Sequence, residues 1–192
     1  MAAALLCLSG CGEAQGPSPE YRPEEAGTVD HALCLLGFTA IPVQEVSTGH
    51  HLIEATINGT RGSFVLDTGA NVTAIDSSRS QEFGLSGNGG LAGAAAAVKS
   101  AGGRSARLAQ VDSFQLGLLE ISQDRVVIAD MGRLLGQLSR VGGEDVAGIV
   151  GQDVLKEHRA IIDVPRPMLY LLETGSTPSP VAAGECEQGQ TR

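Results

Sequence analysis

One short stretch decides more about the fold than any other part of the sequence, because it is an apolar run that ends on a carboxylate. Its residues are Phe64-Val65-Leu66-Asp67-Thr68-Gly69-Ala70. The three apolar residues do not alternate with polar ones, which predicts a strand buried on both faces. A carboxylate at the end of such a strand is costly unless another group pairs with it or shares its proton. The sequence therefore predicts that Asp67 has a partner.

Short strands and tight turns are predicted on both sides of this run. Before it, the segment 51–57 alternates, which places Ile53, Ala55 and Ile57 on one face. The dipeptide Asn58-Gly59 that follows is the strongest short hairpin signal that a sequence offers. We expect this hairpin to deliver Asp67 to its loop.

The second half of the chain contains another apolar strand, which ends on a glycine. Here Ile149-Val150 ends on Gly151, and a short helix is predicted over residues 152–159. A closing hairpin is predicted from 161–164 and 168–172. The strand pattern predicts an all-β fold with one short helix.

A further hairpin is predicted between residues 94 and 111, across the turn Ala101-Gly102-Gly103. Both arms are short and consist mostly of small residues. The alternative for the first arm is a helix, because its run of alanines has high helix propensity. We interpret the pair of arms as a flap, with its tip at about residues 99–104.

Two motifs at compatible spacing resemble those of the retropepsin-like aspartic proteases. The first is Asp-Thr-Gly-Ala at residues 67–70, after a hydrophobic strand. The second, over residues 148–155, is Gly-Ile-Val-Gly-Gln-Asp-Val-Leu, which resembles the Gly-Ile-Leu-Gly-x-Asp-Phe-Leu segment of bacterial members. The resemblance spans about residues 41–172 and implies a closed barrel, the single lobe of the acid protease fold. Retroviral members often use an Arg in an ion pair where Gln152 stands, so the sequence departs from them there.

The resemblance implies peptide-bond hydrolysis at Asp67, Thr68 and Gly69. One carboxylate acts as base on a water molecule while a second donates a proton to the scissile carbonyl oxygen. Because the chain has one Asp-Thr-Gly of this kind, the resemblance implies a homodimer in which two Asp67 carboxylates face each other. The Thr68 side chains would join the two loops. Substrate contacts are expected from Ala70, Ser100, Ala101, Gly102, Gly103, Ile149 and Val150.

The N-terminal residues resemble an export signal. A short apolar segment leads to Leu8-Ser9-Gly10-Cys11, which resembles a bacterial lipobox. We therefore predict a signal peptide over residues 1–11, acylation of Cys11, and anchoring to a bacterial membrane on the side of the periplasm or exterior. A frayed apolar end without this function is the alternative.

Composition divides the rest of the chain. Residues 12–32 and 174–192 are predicted to be a disordered tether and tail, because they are rich in Pro, Gly and Glu. The protease domain is expected over residues 33–173. Cys34 and Cys186 flank it, and the sequence leaves open whether they form a disulfide or remain two free thiols.

Charge and composition exclude several classes of partner. A formal net charge of −9 argues against nucleic acid and anionic lipid, and 3% aromatic residues argue against base stacking. His50 and His51 point to opposite faces of a strand, so no metal site and no cofactor is predicted. The expected partners are a peptide or protein substrate and a second copy of the chain. The alternative function is a non-catalytic retropepsin-like binding or structural module on an exported lipoprotein, in which the Asp67 carboxylate is dispensable.

Overall fold

The computed structural model describes residues 21–85, 98–99 and 105–187, and its regular elements are mostly strands. The strands are β1 (Thr39–Pro42), β2 (Gln44–Glu45), β3 (His51–Ile57), β4 (Thr60–Leu66), β5 (Ala74–Asp76), β6 (Val98–Lys99), β7 (Ser105–Gln110), β8 (Phe114–Leu116), β9 (Leu119–Glu120), β10 (Arg125–Ala129), β11 (Val146–Val150), β12 (Ile161–Asp163) and β13 (Met168–Leu171). The helices are α1 (Val29–Leu35), α2 (Gly132–Gly142), α3 (Gln152–Glu157) and α4 (Ala183–Glu187).

The larger of two sheets has ten strands, and strand β11 lies near its centre. The order of hydrogen-bonded neighbours is β6-β7-β10-β5-β11-β4-β3-β8-β9, with β2 added to β3. Strand β11 is buried along its whole length and pairs in parallel with β4 and antiparallel with β5. Because parallel strands end at the same edge, the chain leaves β4 and β11 side by side.

The predicted hairpin at Asn58-Gly59 is confirmed. Strands β3 and β4 pair antiparallel up to Ile57 and Thr60, which leaves only these two residues in the turn. Asn58 has φ 49° and Gly59 has φ 78°. Two successive residues with positive φ define the turn type whose twist matches that of the strands. The prediction succeeded because this signal is local.

A smaller sheet has the strand order β1-β13-β12, and its strand β1 contacts α1, which in turn contacts α4. Pro42 ends its edge strand, as expected of a residue that cannot donate to a neighbouring strand. Cys34 in α1 and Cys186 in α4 form a disulfide with a Cα–Cα distance of 5.9 Å. The disulfide answers the question that the sequence left open.

A buried ionic cluster joins α1 to the same sheet. The Asp30 side chain is 1% exposed and accepts two hydrogen bonds from the Arg166 guanidinium, at 3.0 and 3.1 Å, and one from the Tyr170 hydroxyl. Burial alone would raise the pKa of Asp30, but the hydrogen bonds from Arg166 and Tyr170 outweigh it and hold this pKa below its ordinary value. Burial and the same carboxylate raise the pKa of Tyr170.

The prediction of a single short helix was wrong, because the described residues form four helices. The predicted helix is confirmed as α3, but the glycine-rich connection after Met131 forms α2. This helix is stabilised by tertiary packing, since Leu135 and Leu138 pack against Val146 and Ile149 of β11. None of the described helices has the length and apolar character that a membrane span requires.

The described fold extends beyond residues 33–173 at both ends. Helix α1 begins at Val29, within the predicted tether, and α4 lies within the predicted tail. Strands β6 and β7 pair antiparallel, as the hairpin prediction requires, while the turn between them lies outside the described residues. In the described ranges the pairing of the large sheet runs from β6 to β9 without closing, so the closed barrel stays a prediction.

Candidate active site

Asp67 is the first residue after strand β4, at the point where the sheet ends. The three residues before it, at 64–66, are buried, as predicted. Its main-chain N–H donates to the carbonyl oxygen of Val150 at 3.0 Å, which ties the start of the loop to β11. Asp67 itself is half-buried, while Thr68 and Gly69 are exposed. The buried strand thus presents the carboxylate at the protein surface.

A tight turn fixes the orientation of this carboxylate. Its Oδ1 accepts a hydrogen bond from the main-chain N–H of Gly69 at 2.8 Å, and the Ala70 N–H donates to the Asp67 carbonyl oxygen at 3.2 Å. A Cβ atom at Gly69 would lie 3.1 Å from Oδ1 and would crowd it. Glycine at this position therefore lets the main chain approach the carboxylate.

The junction between β11 and α3 packs directly against the loop. A Cβ atom on Gly151 would lie 2.6 Å from the Val72 carbonyl oxygen and 3.0 Å from that of Ala70, so only glycine fits. The next residue, Gln152, donates from its main-chain N–H to the Ala70 carbonyl oxygen at 2.8 Å. The second sequence motif thus supports the first through the main chain.

The far end of the loop is held by a side chain of α3. The Asp153 carboxylate accepts hydrogen bonds from the Thr73 N–H at 2.7 Å and from the Thr73 hydroxyl at 2.8 Å. The Thr73 hydroxyl in turn accepts from the Gly151 N–H at 3.1 Å. Sequence reasoning assigned no role at the site to Thr73, although Asp153 belongs to the segment that carries the second motif.

The predicted substrate contacts differ in where the structure places them. Ala70 is in the loop and packs against an apolar cluster with Ile149. Ile149 is 9% exposed and Val150 is fully buried, paired in register with Val65 and Leu66. Contact of these two side chains with a substrate stays a prediction. Ser100, Ala101, Gly102 and Gly103, and also Cys11, lie outside the described residues.

Metal chemistry has no candidate site in the part of the chain that the structure describes. In those residues, no group of three or more His, Cys, Asp or Glu side chains lies close enough to hold a metal ion. The arrangement at Asp67 offers a carboxylate with one oxygen oriented by a main-chain N–H. Such a group can accept or donate a proton at a reacting atom.

The chain matches the model of a known protein family. A family model described as aspartyl protease matches residues 53–154, which is more than half of the 192-residue chain. The matched range includes both Asp67 and Asp153. No curated protein sequence is significantly similar to the chain.

Several solved structures are similar to the chain. One is a retropepsin-like aspartic protease from Rickettsia conorii, at 18% identity and a TM-score of 0.49, with 70% of this chain and 91% of that chain covered. Another is the EIAV protease complexed with the inhibitor HBY-793, at 19% identity and a TM-score of 0.38, with coverages of 55% and 84%. A third is the retroviral protease-like domain of Ddi1 from Leishmania major, at 15% identity and a TM-score of 0.46, with coverages of 70% and 95%.

Proposed function

The chain belongs to the aspartyl protease family, and from that premise we propose that it is an endopeptidase that hydrolyses peptide bonds with Asp67. The observation that carries the proposal is the setting of this carboxylate. It follows a buried strand, lies at the surface, and is oriented by the Gly69 N–H at 2.8 Å.

The active form in this proposal is a homodimer. The described residues contain one Asp-Thr-Gly after a buried strand, and the mechanism needs two carboxylates. A two-fold axis would bring Asp67 of each chain together, because a symmetric interface presents the same surface twice. The exposed Thr68 lies beside Asp67 and would face its symmetry mate.

The chemistry needs the two carboxylates to share one proton. The ionised carboxylate takes a proton from a water molecule, whose oxygen attacks the scissile carbonyl carbon, while the protonated carboxyl donates its proton to the carbonyl oxygen. The tetrahedral intermediate breaks down when the carboxyl that took the water proton gives it to the nitrogen and the C–N bond cleaves. The other carboxylate takes a hydroxyl proton as the carbonyl re-forms, which restores the shared proton. Two carboxylates at close range do not both ionise, so the pair titrates as a unit.

The hairpin of β6 and β7 would supply the flap. Its arms pair in the register Val98 with Ala106, and residues 100–104 connect them in the sequence, among them the predicted substrate contacts Ser100, Ala101, Gly102 and Gly103. Closure of such a segment would exclude water from the reacting carbonyl. In the same proposal, the chain forms a single lobe whose strands close into a retropepsin-like barrel.

Export and lipid anchoring at Cys11 complete the proposal. The disulfide between Cys34 and Cys186 supports an oxidising compartment, since such bonds are rare in reducing ones. Stable anchoring requires two or more acyl chains. Mass spectrometry of the mature protein should find a diacyl- or triacylglyceryl-type Cys11 at the N-terminus, and an unmodified Met1 would contradict the anchor.

The test of hydrolysis compares the protein with its Asp67→Asn variant on a peptide library. Asparagine keeps the size of the side chain but cannot act as the base, so cleavage should be lost. The circular dichroism spectrum and the oligomeric state in solution should stay unchanged. Cleavage by the wild type should be inhibited by pepstatin. A folded wild type without peptidase activity would favour the non-catalytic binding module.

A further inference from the structure

The Asp153 carboxylate is completely occupied by hydrogen-bond donors. Besides the two bonds from Thr73, its Oδ2 accepts from the Gln123 side-chain amide at 2.7 Å, and its Oδ1 accepts from the Val154 N–H at 2.9 Å. Each oxygen therefore has two donors. An ionised carboxylate has about four acceptor sites and no donor, so the four donors around Asp153 use all of its acceptor sites.

These bonds bear on the loop because Thr73 is its last residue before β5. Thr73 is fully buried, and its carbonyl oxygen accepts a hydrogen bond from the Val127 N–H at 3.0 Å. The start of the loop is fixed by the bond of Asp67 to Val150. A segment fixed at both ends has few conformations, and release of one end restores many of them.

We propose that Asp153 is a positioning residue for the Asp67 carboxylate, acting through Thr73. The inference rests on the proposed function and adds to it a residue that does not touch the reacting atoms. Loss of the Asp153 bonds would loosen the Thr73 end of the loop, where the bond from the Val127 N–H remains, and would misplace Asp67 relative to its symmetry mate. Small misplacements of a reacting group cost on the order of 100-fold in rate.

The hydrogen-bond pattern at Asp153 predicts that even replacement by asparagine, which has nearly the same size and shape, disrupts these bonds. In Asp153→Asn, the amide nitrogen replaces one of the two oxygens. Because each oxygen accepts from one main-chain N–H, that of Thr73 or that of Val154, either orientation of the amide sets an N–H group against a donor that cannot reverse its role. The Thr73 hydroxyl offers a milder test, since Thr73→Val removes it and Thr73→Ser keeps it.

Steady-state kinetics on a cleavable peptide test the proposal. Asp153→Asn should lower kcat on the order of 100-fold with little change in KM, because binding along the substrate is retained while alignment is lost. Thr73→Val should lower kcat about tenfold, and Thr73→Ser should restore it. The matched control is Asp163→Asn, which removes a carboxylate bonded to Arg166 in another part of the fold and should leave kcat unchanged. Wild-type kcat in Asp153→Asn, or an equal loss in the control, would overturn the proposal.

Amide hydrogen exchange separates this inference from the proposed function, because it needs no substrate. In Asp153→Asn, exchange should accelerate in peptides covering residues 67–73 and stay unchanged in β3. If the wild type does not hydrolyse peptides but the loop exchanges faster in the variant, the proposed function fails and the positioning of the loop stands. Unchanged exchange would overturn the inference whatever the activity. If Asp153→Asn does not fold, the Thr73→Val and Thr73→Ser pair decides by the same two measurements.

Discussion

The side-chain amide of Gln152 donates a hydrogen bond to the main-chain carbonyl oxygen of Thr68, with an N···O distance of 2.6 Å. The main-chain N–H of the same residue donates to Ala70. One residue at the start of α3 therefore holds the exposed part of the loop at two points. The sequence resembles a family whose retroviral members often carry an Arg at this position and use it in an ion pair. In this chain, the residue acts on its own loop.

The Gln152→Glu variant should lower kcat about tenfold. A glutamate is nearly the same size but cannot donate to the Thr68 carbonyl oxygen, and loss of a donor costs about 1–3 kcal/mol where the partner is left unpaired. Partial exposure of Gln152 reduces this cost, so the thermal midpoint should change little. Gln115→Glu on the exposed face of β8 is the matched control and should keep full activity. Equal activities of the two variants would contradict a role for the Gln152 amide.

The features that the sequence predicted correctly are determined by neighbouring residues. The Asn58-Gly59 turn and the buried strand before Asp67 each depend on fewer than ten consecutive residues. The role of Asp153 depends on Thr73, which is 80 residues away in the chain. Nothing in the spacing of two such polar residues indicates that they meet.

Helix α2 was missed although its apolar residues Leu134, Leu135 and Leu138 recur at helical spacing. Its sequence contains glycines at 132, 136 and 142, which lower helix propensity. Its stability comes instead from the packing of Leu135, which is 2% exposed and lies against β11. The Asp76 carboxylate also accepts a hydrogen bond from the main-chain N–H of Met131 at 2.7 Å, just before the helix begins. Both contacts exist only after β5 and β11 have assembled.

The ionic cluster predicts that stability depends on pH. Removal of one partner of a buried ion pair costs about 3–5 kcal/mol, and we expect the lower part of that range for Asp30→Asn because Arg166 is partly exposed and keeps Asp163. Since the pKa of Asp30 is lowered on folding, its contribution is complete above the pKa of an unfolded aspartate, about 3.9, and is lost as the pH falls through the folded value.

Urea unfolding of wild type and Asp30→Asn measures this dependence. The difference in unfolding free energy should be constant near neutral pH and should shrink steadily below about pH 4. Asp145→Asn serves as the control, because the Asp145 side chain is 81% exposed in its ion pair with Arg79 and should contribute little at any pH. If the difference in unfolding free energy between wild type and Asp30→Asn does not change with pH, the Asp30 side chain is not an ionised partner of Arg166.

The disulfide should stabilise the fold without affecting the site. It links residues 152 apart, and removal of such a bond costs about 2–5 kcal/mol. The double variant Cys34→Ser, Cys186→Ser should therefore unfold at lower urea but keep its kcat well below its unfolding midpoint. Reductant should destabilise the wild type and leave the double variant unchanged. If reductant does not shift the wild-type midpoint, Cys34 and Cys186 are not paired in solution.

The shared site predicts a characteristic dependence on protein concentration. With one Asp67 per chain, the rate should rise with the square of the concentration while dimers are scarce and become linear once they dominate. Asp67→Asn should still dimerise, because its amide keeps the size of the side chain and two amides do not repel as two carboxylates do. Light scattering of both proteins across the same concentrations provides the control.

Mixing the two proteins tests the shared site directly. If chains exchange at random, an equal amount of Asp67→Asn should remove about half of the activity per wild-type chain, and about a tenfold excess should leave about a tenth. The loss arises because each mixed dimer holds one carboxylate and cannot both activate water and protonate the carbonyl oxygen. An unrelated protein added at the same mass should have no effect. A protein that light scattering shows to be monomeric, and whose rate is linear in concentration and insensitive to the variant, would require a complete site within a single chain, which Asp67 alone does not provide.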